Sequence, residues 1–507
     1  MRKIVMIGLI FLLLGSLTAA DFDFEKIKGQ VSEFTLKNGL KFVLLEDHSV
    51  PIASFVTFTN IGGSDEKIGI YGISHFLEHL AFKGTTEIST KNYKAEKKVM
   101  DKMDRVFEQL LQEQNKIDAD KSVVDTLKKE LAQLQEEAAT HVQSNEIDSF
   151  LKRNGAVGLN AGTSKDFTMY MVSLPSNKLE LWAYLESARF TDPVFREFYK
   201  ERDVIQEERR VRVENQPVGK LIEEVQAIAY KDHPYKVSVI GPMSNIANIT
   251  RKDVRRYFTE NYHSGNMVIG VAGDVYPHQL KKFAKKYFSK MRAGEKNPLL
   301  HTVEPKQPGE KTITMYDDSQ PLLLVAYHAP SVRHEDYLKF QILNYLLTNG
   351  RSSRIYKRLV VQEKSTLEFL GFMGFPGDKY PCLYLMIAVP NAGKTTAEIE
   401  ASIFDEIEKV RAGEITTEEL ESAKIRVKVD TLKGMKSRMG MLMALLKTEM
   451  FQGDWKIVFE EFNMVEKITV KDIQDLADKY FTKDNRVIGR MEKRKDDKKE
   501  KQQEVAK

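Results

Sequence analysis

Histidine is scarce in this 507-residue chain, which has ten. Two of them frame His75-Phe76-Leu77-Glu78-His79. On a helix, residues four apart leave the same face, so the imidazoles of His75 and His79 can converge on one metal ion. Glu78 lies near that face but not on it. From there a carboxylate can reach a water beside the metal without occupying a ligand position. The flanking Ile73, Phe76, Leu77, Leu80 and Phe82 are apolar, so one side of the helix should be buried. Buried histidines beside a carboxylate call for a chemical reason. The chemistry this pattern suits is metal-assisted hydrolysis, with the histidines as ligands and Glu78 as general base.

A two-histidine site needs a third protein ligand, and a carboxylate is a common one. The stretch Glu201-Arg202-Asp203-Val204-Ile205-Gln206-Glu207-Glu208-Arg209-Arg210 lies in a long predicted helix, Val194 to Val213, with Asp192-Pro193 as its start signal. Seven residues are almost two turns, so Glu201 and Glu208 share a face, while Glu207 points about 100° away. Glu208 is the candidate third ligand and Glu201 its support. On spacing alone, a solvated charged face is the commoner reading of such a helix.

Elements must position these side chains. Phe34–Leu36 and Lys41–Leu45 flank Asn38-Gly39, a hairpin-turn signal, and Ala53–Phe58 reads as a further strand. Gly158–Ser164 and Phe167–Val172 read as two strands around a turn. Between them and the histidines, from about Tyr93 to Glu146, glycine and proline vanish. Met103, Val106, Leu110, Val124, Leu127, Leu131, Leu134 and Ala138 there follow three- and four-residue spacing, which predicts a helical hairpin with a coiled-coil-like seam. It could be a self-stabilising insertion, or a lid or docking arm. Ile249-Thr250-Arg251-Lys252-Asp253-Val254 is echoed by Ile468-Thr469-Val470-Lys471-Asp472-Ile473. At the same offset of 219, Asn266, Val268, Ile269 and Gly270 match Asn485, Val487, Ile488 and Gly489. A helix followed by a strand thus recurs, which points to two related domains. The expected fold is α+β: two homologous domains, 21–290 and 312–490, each a mostly antiparallel sheet packed with helices. The hairpin (93–146) is inserted in the first domain. The proline-bearing stretch 291–311 is the linker, and 491–507 is a charged tail, expected to be disordered.

The formal net charge of +4 gives no bulk pull toward nucleic acid or an anionic membrane. Arg2-Lys3, the apolar run Ile4–Leu14 and the small residues Thr18-Ala19-Ala20 read as a signal peptide over 1–20, so export, to a periplasm above all, is expected. The apolar run is too short to span a bilayer comfortably. Cys382 is the only cysteine, which excludes an internal disulfide and a multi-thiol metal site.

Taken together, the chain resembles the pitrilysin/insulinase family of zinc metallopeptidases, the inverzincins that include the processing peptidases. The resemblance rests on His75–Gly84, Asn160-Ala161-Gly162-Thr163, Glu201-Arg202-Asp203-Val204-Ile205, Gly241-Pro242 and the duplication. It implies one zinc ion held by His75, His79 and Glu208, with Glu78 as base and Glu201 assisting. It also implies an edge strand at Asn160 and Ala161 that receives an extended substrate by main-chain hydrogen bonds. The implied activity is endopeptidase cleavage of peptides or unfolded segments; the alternative is a non-catalytic scaffold or peptide-binding subunit of the same fold. The family also uses an Arg and a Tyr, seven residues apart, to hold substrate and stabilise the oxyanion. Counting from Gly350-Arg351-Ser352-Ser353-Arg354-Ile355-Tyr356 puts Gln362 and Phe369 at those positions. A phenyl ring cannot donate a hydrogen bond, and glutamine lacks the guanidinium charge. This suggests that a homologous partner subunit supplies the pair in a heterodimer, with a homodimer the alternative. Otherwise Tyr380, Tyr384 or Arg358 does the work.

Overall fold

The computed structural model describes residues 24–494. The predicted signal peptide and positions 495–507 lie outside the described residues. Among the described residues, no helix is long and apolar enough to cross a membrane.

The chain builds two mixed sheets covered by helices. The first contains β1 (Val31–Thr35), β2 (Lys41–Glu46), β3 (Ile52–Thr59), β4 (Val157–Thr163), β5 (Thr168–Pro175) and β6 (Met267–Gly273). Its order is β1-β2-β6-β3-β5-β4, and β2–β6 is the one parallel pair. The second contains β7 (Lys311–Asp317), β8 (Leu322–Ala329), β9 (Thr366–Phe375), β10 (Cys382–Pro390) and β11 (Arg486–Lys493). Its order is β7-β11-β8-β10-β9, again with one parallel pair, β7–β11. Without β1, the two sheets have the same topology.

The repeated sequence has a physical explanation at four of the matched positions. Thr250 and Asp253 form a capping box on helix Arg251–Asn261, and Thr469 and Asp472 form the same box on Val470–Tyr480. Asn266 and Asn485 each donate a side-chain N–H to the last carbonyl of the preceding helix, at Asn261 and Tyr480. The matched glycines let helices approach the sheets. A Cβ on Gly270 would come within 2.5 Å of Leu442, and one on Gly489 within 2.3 Å of Val225. Those helices are exchanged between halves. Arg438–Gln452, late in the chain, packs Leu442, Leu445 and Leu446 on the first sheet. Pro217–Ala229, early in the chain, packs Leu221 and Val225 into the second core.

The two expected helices of the hairpin are Tyr93–Gln114 and Lys121–His141. Met103, Val106, Leu110, Leu131, Leu134 and Ala138 are buried in the seam. Two expected boundaries shift. The helix predicted from Val194 begins at Phe198. Phe195 and Glu197 adopt positive φ, 55° and 54°. The intervening chain is drawn into tertiary contacts: Asp192 accepts the Thr86 N–H at 3.0 Å, and Arg196 ion-pairs with Glu96 at 2.7 Å while donating to the Lys83, Thr85 and Ile88 carbonyls. At the other end, β11 runs to Lys493 and takes in the start of the expected tail, because Met491 is buried against the sheet.

The halves are welded at Asp166, in the β4–β5 turn. Its carboxyl accepts the backbone N–H groups of Asp378 and Lys379 at 2.8 and 3.0 Å and the Tyr235 hydroxyl at 2.5 Å. Replacing Asp166 by Ala would leave these buried donors unpaired. We expect a loss on the order of 3 kcal/mol, read from the chemical denaturation midpoint, and a smaller loss for Asp166→Asn, which keeps one acceptor.

Candidate metal centre

Two remote segments meet at the site. The histidine helix, Ile73–Leu80, buries Ile73, Phe76, Leu77 and Leu80 and turns His75 and His79 outward. The glutamate helix, Phe198–Arg209, lies against it, with Phe198 stacked on Phe76 at 4.7 Å between ring centres and 16° between planes.

The start of the histidine helix is fixed by backbone approach. Gly72 has φ 94°, and a Cβ there would sit 2.4 Å from the Ile240 carbonyl oxygen; Gly241, at φ 77°, meets the Tyr71 carbonyl in the same way. Only glycine fits such crossings. The Gly241-Pro242 pair of the sequence is therefore part of the site's frame. Arg209, near the end of the glutamate helix, donates to the Gly241 carbonyl at 2.7 Å, which ties both helices to one loop.

Glu66, which the sequence analysis did not single out, caps the histidine helix. Its carboxyl accepts the Gly72 and Ser74 N–H groups, each at 2.8 Å, in place of a conventional N-cap side chain. Burial pushes its pKa up to about 7, against the opposing pull of Lys165 and these hydrogen bonds.

Glu201 and Glu208 both face the histidine helix. The Glu208 Oε2 stands 3.7 Å from His75 Nε2 and 3.6 Å from His79 Nε2. Glu201 Oε2 stands 3.3 Å from His79 Nδ1, and its other oxygen accepts from Lys83 at 2.5 Å. His75, His79 and Glu208 form the one group of three such residues, among the described residues, whose ligand atoms lie within 4.8 Å of one another. Metal bonds near 2.0–2.1 Å in a tetrahedron set ligand atoms about 3.4 Å apart. The two His–Glu208 spacings therefore lie within a few tenths of an ångström of those in a zinc site. Burial, with help from His79 and Arg212, pushes the His75 pKa down to about 3, so this imidazole is neutral and its lone pair free. Burial would raise Glu201, but the hydrogen bonds from His79 and Lys83 hold it below the usual range. Arg212 pairs with the other Glu208 oxygen at 2.6 Å.

Glu78 is half-buried, and burial raises its pKa despite a hydrogen bond from Thr163 Oγ1 at 2.6 Å. A raised carboxyl suits proton transfer near neutrality. Thr163 belongs to the quoted Asn160–Thr163 stretch, but no role was read for it. Strand alternation was the available signal, since Ala161 and Thr163 share a face. Asn160 and Ala161 lie on β4, the edge strand of the first sheet, beside the histidine helix.

The second half presents no donor pair at the counted positions. Phe369 is buried in the second core on β9, and Gln362 is exposed just before that strand. The alternatives are engaged elsewhere. The Tyr384 hydroxyl is buried against Thr348 at 2.6 Å, and the Tyr380 hydroxyl accepts the Leu300 N–H at 3.1 Å. Arg358 is bound by Glu363 and Glu406 at 2.7 and 3.0 Å.

Family models match both halves: Insulinase (Peptidase family M16) over residues 41–101 and 131–243, and Peptidase M16 inactive domain over 248–427. The chain belongs to peptidase family M16. The unmatched residues 102–130 fall inside the helical hairpin. The chain is 28% identical to the zinc protease PqqE of Helicobacter pylori, over 88% of this chain and 89% of that one. It is 25% identical to the probable mitochondrial-processing peptidase subunit beta of Schizosaccharomyces pombe, over 67% and 65%. Among solved structures, a Helicobacter pylori protease superposes with a TM-score of 0.75 at 26% identity, covering 91% of this chain and 99% of that one. The periplasmic protease PqqL of Escherichia coli shares the fold, with a TM-score of 0.67 at 15% identity, covering 91% and 47%.

Glu66 gives a pH-dependent signature. Its folded pKa is raised from 4.5 to about 7. Its contribution to stability is therefore fully present below pH 4.5 and is lost as pH rises through 7. Wild type minus Glu66→Gln should show an unfolding free-energy difference that falls by on the order of 3 kcal/mol across that window, measured by urea titrations at several pH values.

Proposed function

We propose that this M16-family chain is a zinc-dependent endopeptidase that cleaves peptides or unfolded polypeptide segments after export, in a periplasmic compartment. The observation that carries the reading is the convergence of His75, His79 and Glu208, from two distant helices, with Glu78 alongside. One zinc ion per chain, when bound by these three residues, would polarise the scissile carbonyl and acidify a water. Glu78 takes the proton from the attacking water and passes it to the leaving amine, while Thr163 fixes the carboxylate's orientation. Glu201, held by Lys83, orients the His79 ring through Nδ1 and leaves Nε2 for the metal. The main chain at Asn160 and Ala161 receives the substrate as an added strand, which suits varied but unfolded sequences. Relatives named zinc protease, and a structural neighbour titled a periplasmic protease, agree with this reading.

The second part of the proposal is division of labour. Phe369 and Gln362 cannot supply an oxyanion donor and a substrate clamp, and Tyr380, Tyr384 and Arg358 are committed to structural contacts. We infer that a homologous subunit brings the missing Arg and Tyr, in a heterodimer. Similarity to a protein named a processing-peptidase beta subunit is consistent with such a pair.

Glu78→Gln should lower turnover of unfolded peptides by about a thousandfold while metal analysis still finds one zinc. Undiminished cleavage would remove Glu78 as the base. Glu208→Gln should release zinc in a chelator competition; retention would exclude it as a ligand. The purified chain alone should fall about a hundredfold or more short of the paired enzyme, since a missing oxyanion donor has that effect. Full activity without a partner would overturn the heterodimer.

A further inference from the structure

A cavity of about 480 Å³ lies behind the glutamate helix, on the side away from the candidate metal centre. Both arms of the helical hairpin and the outer face of the glutamate helix enclose it. Met100 and Met103 from one arm, Ala138 from the other, and Phe195 and Phe198 make an apolar chamber. The volume is that of a small-molecule site, and unbranched methionines make adaptable walls. The buried cations at its base are already paired: Arg196 with Glu96 at 2.7 Å and Arg251 with Asp104 at 3.0 Å. Charge at the exposed side is different. Asp203 and Glu207 sit four residues apart on the glutamate helix, on one face, and Glu207 is paired with Arg210 at 2.9 Å. The neighbouring Lys200 is held by Glu197 at 3.0 Å. Among the described residues, the one cation within 4 Å of Asp203 is Arg202, at 3.8 Å. An apolar chamber with the Asp203 carboxylate at its mouth complements a molecule with an apolar body and a cationic head.

We propose that this cavity is a binding site for an amphipathic cation, with the head at Asp203. It also touches the metal centre's frame. Phe198 walls the cavity and stacks on Phe76, between the two histidines. A ligand that moves Phe198 therefore shifts the helix that presents His75 and His79. By linkage, zinc and the cation change each other's affinity by the same factor. This coupling rests on the zinc reading; the binding does not.

The test titrates 4-phenylbutylammonium, 4-phenylbutanol and 4-phenylbutyrate into the full chain, with and without zinc, by calorimetry. The ammonium should bind about fivefold tighter than the alcohol, and the carboxylate weakest. Asp203→Asn should bring ammonium and alcohol together. Ala139→Trp, at an exposed cavity-lining position, should block all three with the circular dichroism unchanged. Chelator competition should show zinc affinity altered about fivefold by saturating ammonium. Absence of saturable binding, equal binding of the three probes, or binding untouched by Ala139→Trp would overturn the site. Unaltered zinc affinity would overturn the coupling alone. A chain that binds the ammonium but no zinc would sink the peptidase reading and leave the cavity standing.

Discussion

Three carboxylates and two imidazoles face one half-buried point, and that concentration of negative charge is what the surroundings must answer. Lys83 answers Glu201, and Arg212 answers Glu208. Glu78 has only a hydroxyl, Thr163, and its pKa rises. His75 brings no positive charge, because burial keeps it neutral. Two imidazole nitrogens and a Glu208 oxygen converge at the centre of the arrangement. A divalent ion there would reverse the local balance, favour the ionised Glu78 and draw the three ligands inward. The same argument explains why the frame is so heavily tied. Gly72, Gly241, Glu66 and Arg209 fix the two helices before any ion arrives, so that binding need not also order the chain.

The second half carries none of the proposed ligands, yet it is structurally inseparable from the first. Helix Arg438–Gln452 completes the first core, and Pro217–Ala229 completes the second. Gly270 and Gly489 are the marks of this exchange, each bare so that a borrowed helix can lie close. Neither sheet could bury its outer face without chain from the other half. Asp166 adds a polar weld beside β4. The second half is therefore needed to complete both cores.

What was legible in the sequence follows from range. The His75/Glu78/His79 pattern is local, set by one turn of helix. Glu201 and Glu208 needed only a helical period, and the resemblance raised Glu208 above the many glutamates that merely face water. The hairpin seam and the repeated capping boxes are likewise short-range signals. Glu66 and Thr163 act through contacts across the fold, so their types alone announced nothing. The glutamate helix began late because Arg196 is swallowed by Glu96 and three carbonyls, a tertiary demand that bends the backbone to positive φ at Phe195 and Glu197. Local propensity could not foresee it.

Two proposed duties fall on the single strand β4. It is an edge strand, with main-chain groups open to an added peptide at Asn160 and Ala161. Two residues beyond Ala161, Thr163 grips Glu78. Immediately after that, Lys165 donates to the Gly63 carbonyl, and Asp166 joins the second half. A peptide that zips onto β4 stiffens the strand that orients the proposed base. In the proposed reaction, substrate alignment and proton transfer then depend on a single rigid element, and a misaligned peptide would meet a poorly oriented Glu78. Selection for extended backbone, rather than for particular side chains, is what such coupling would produce.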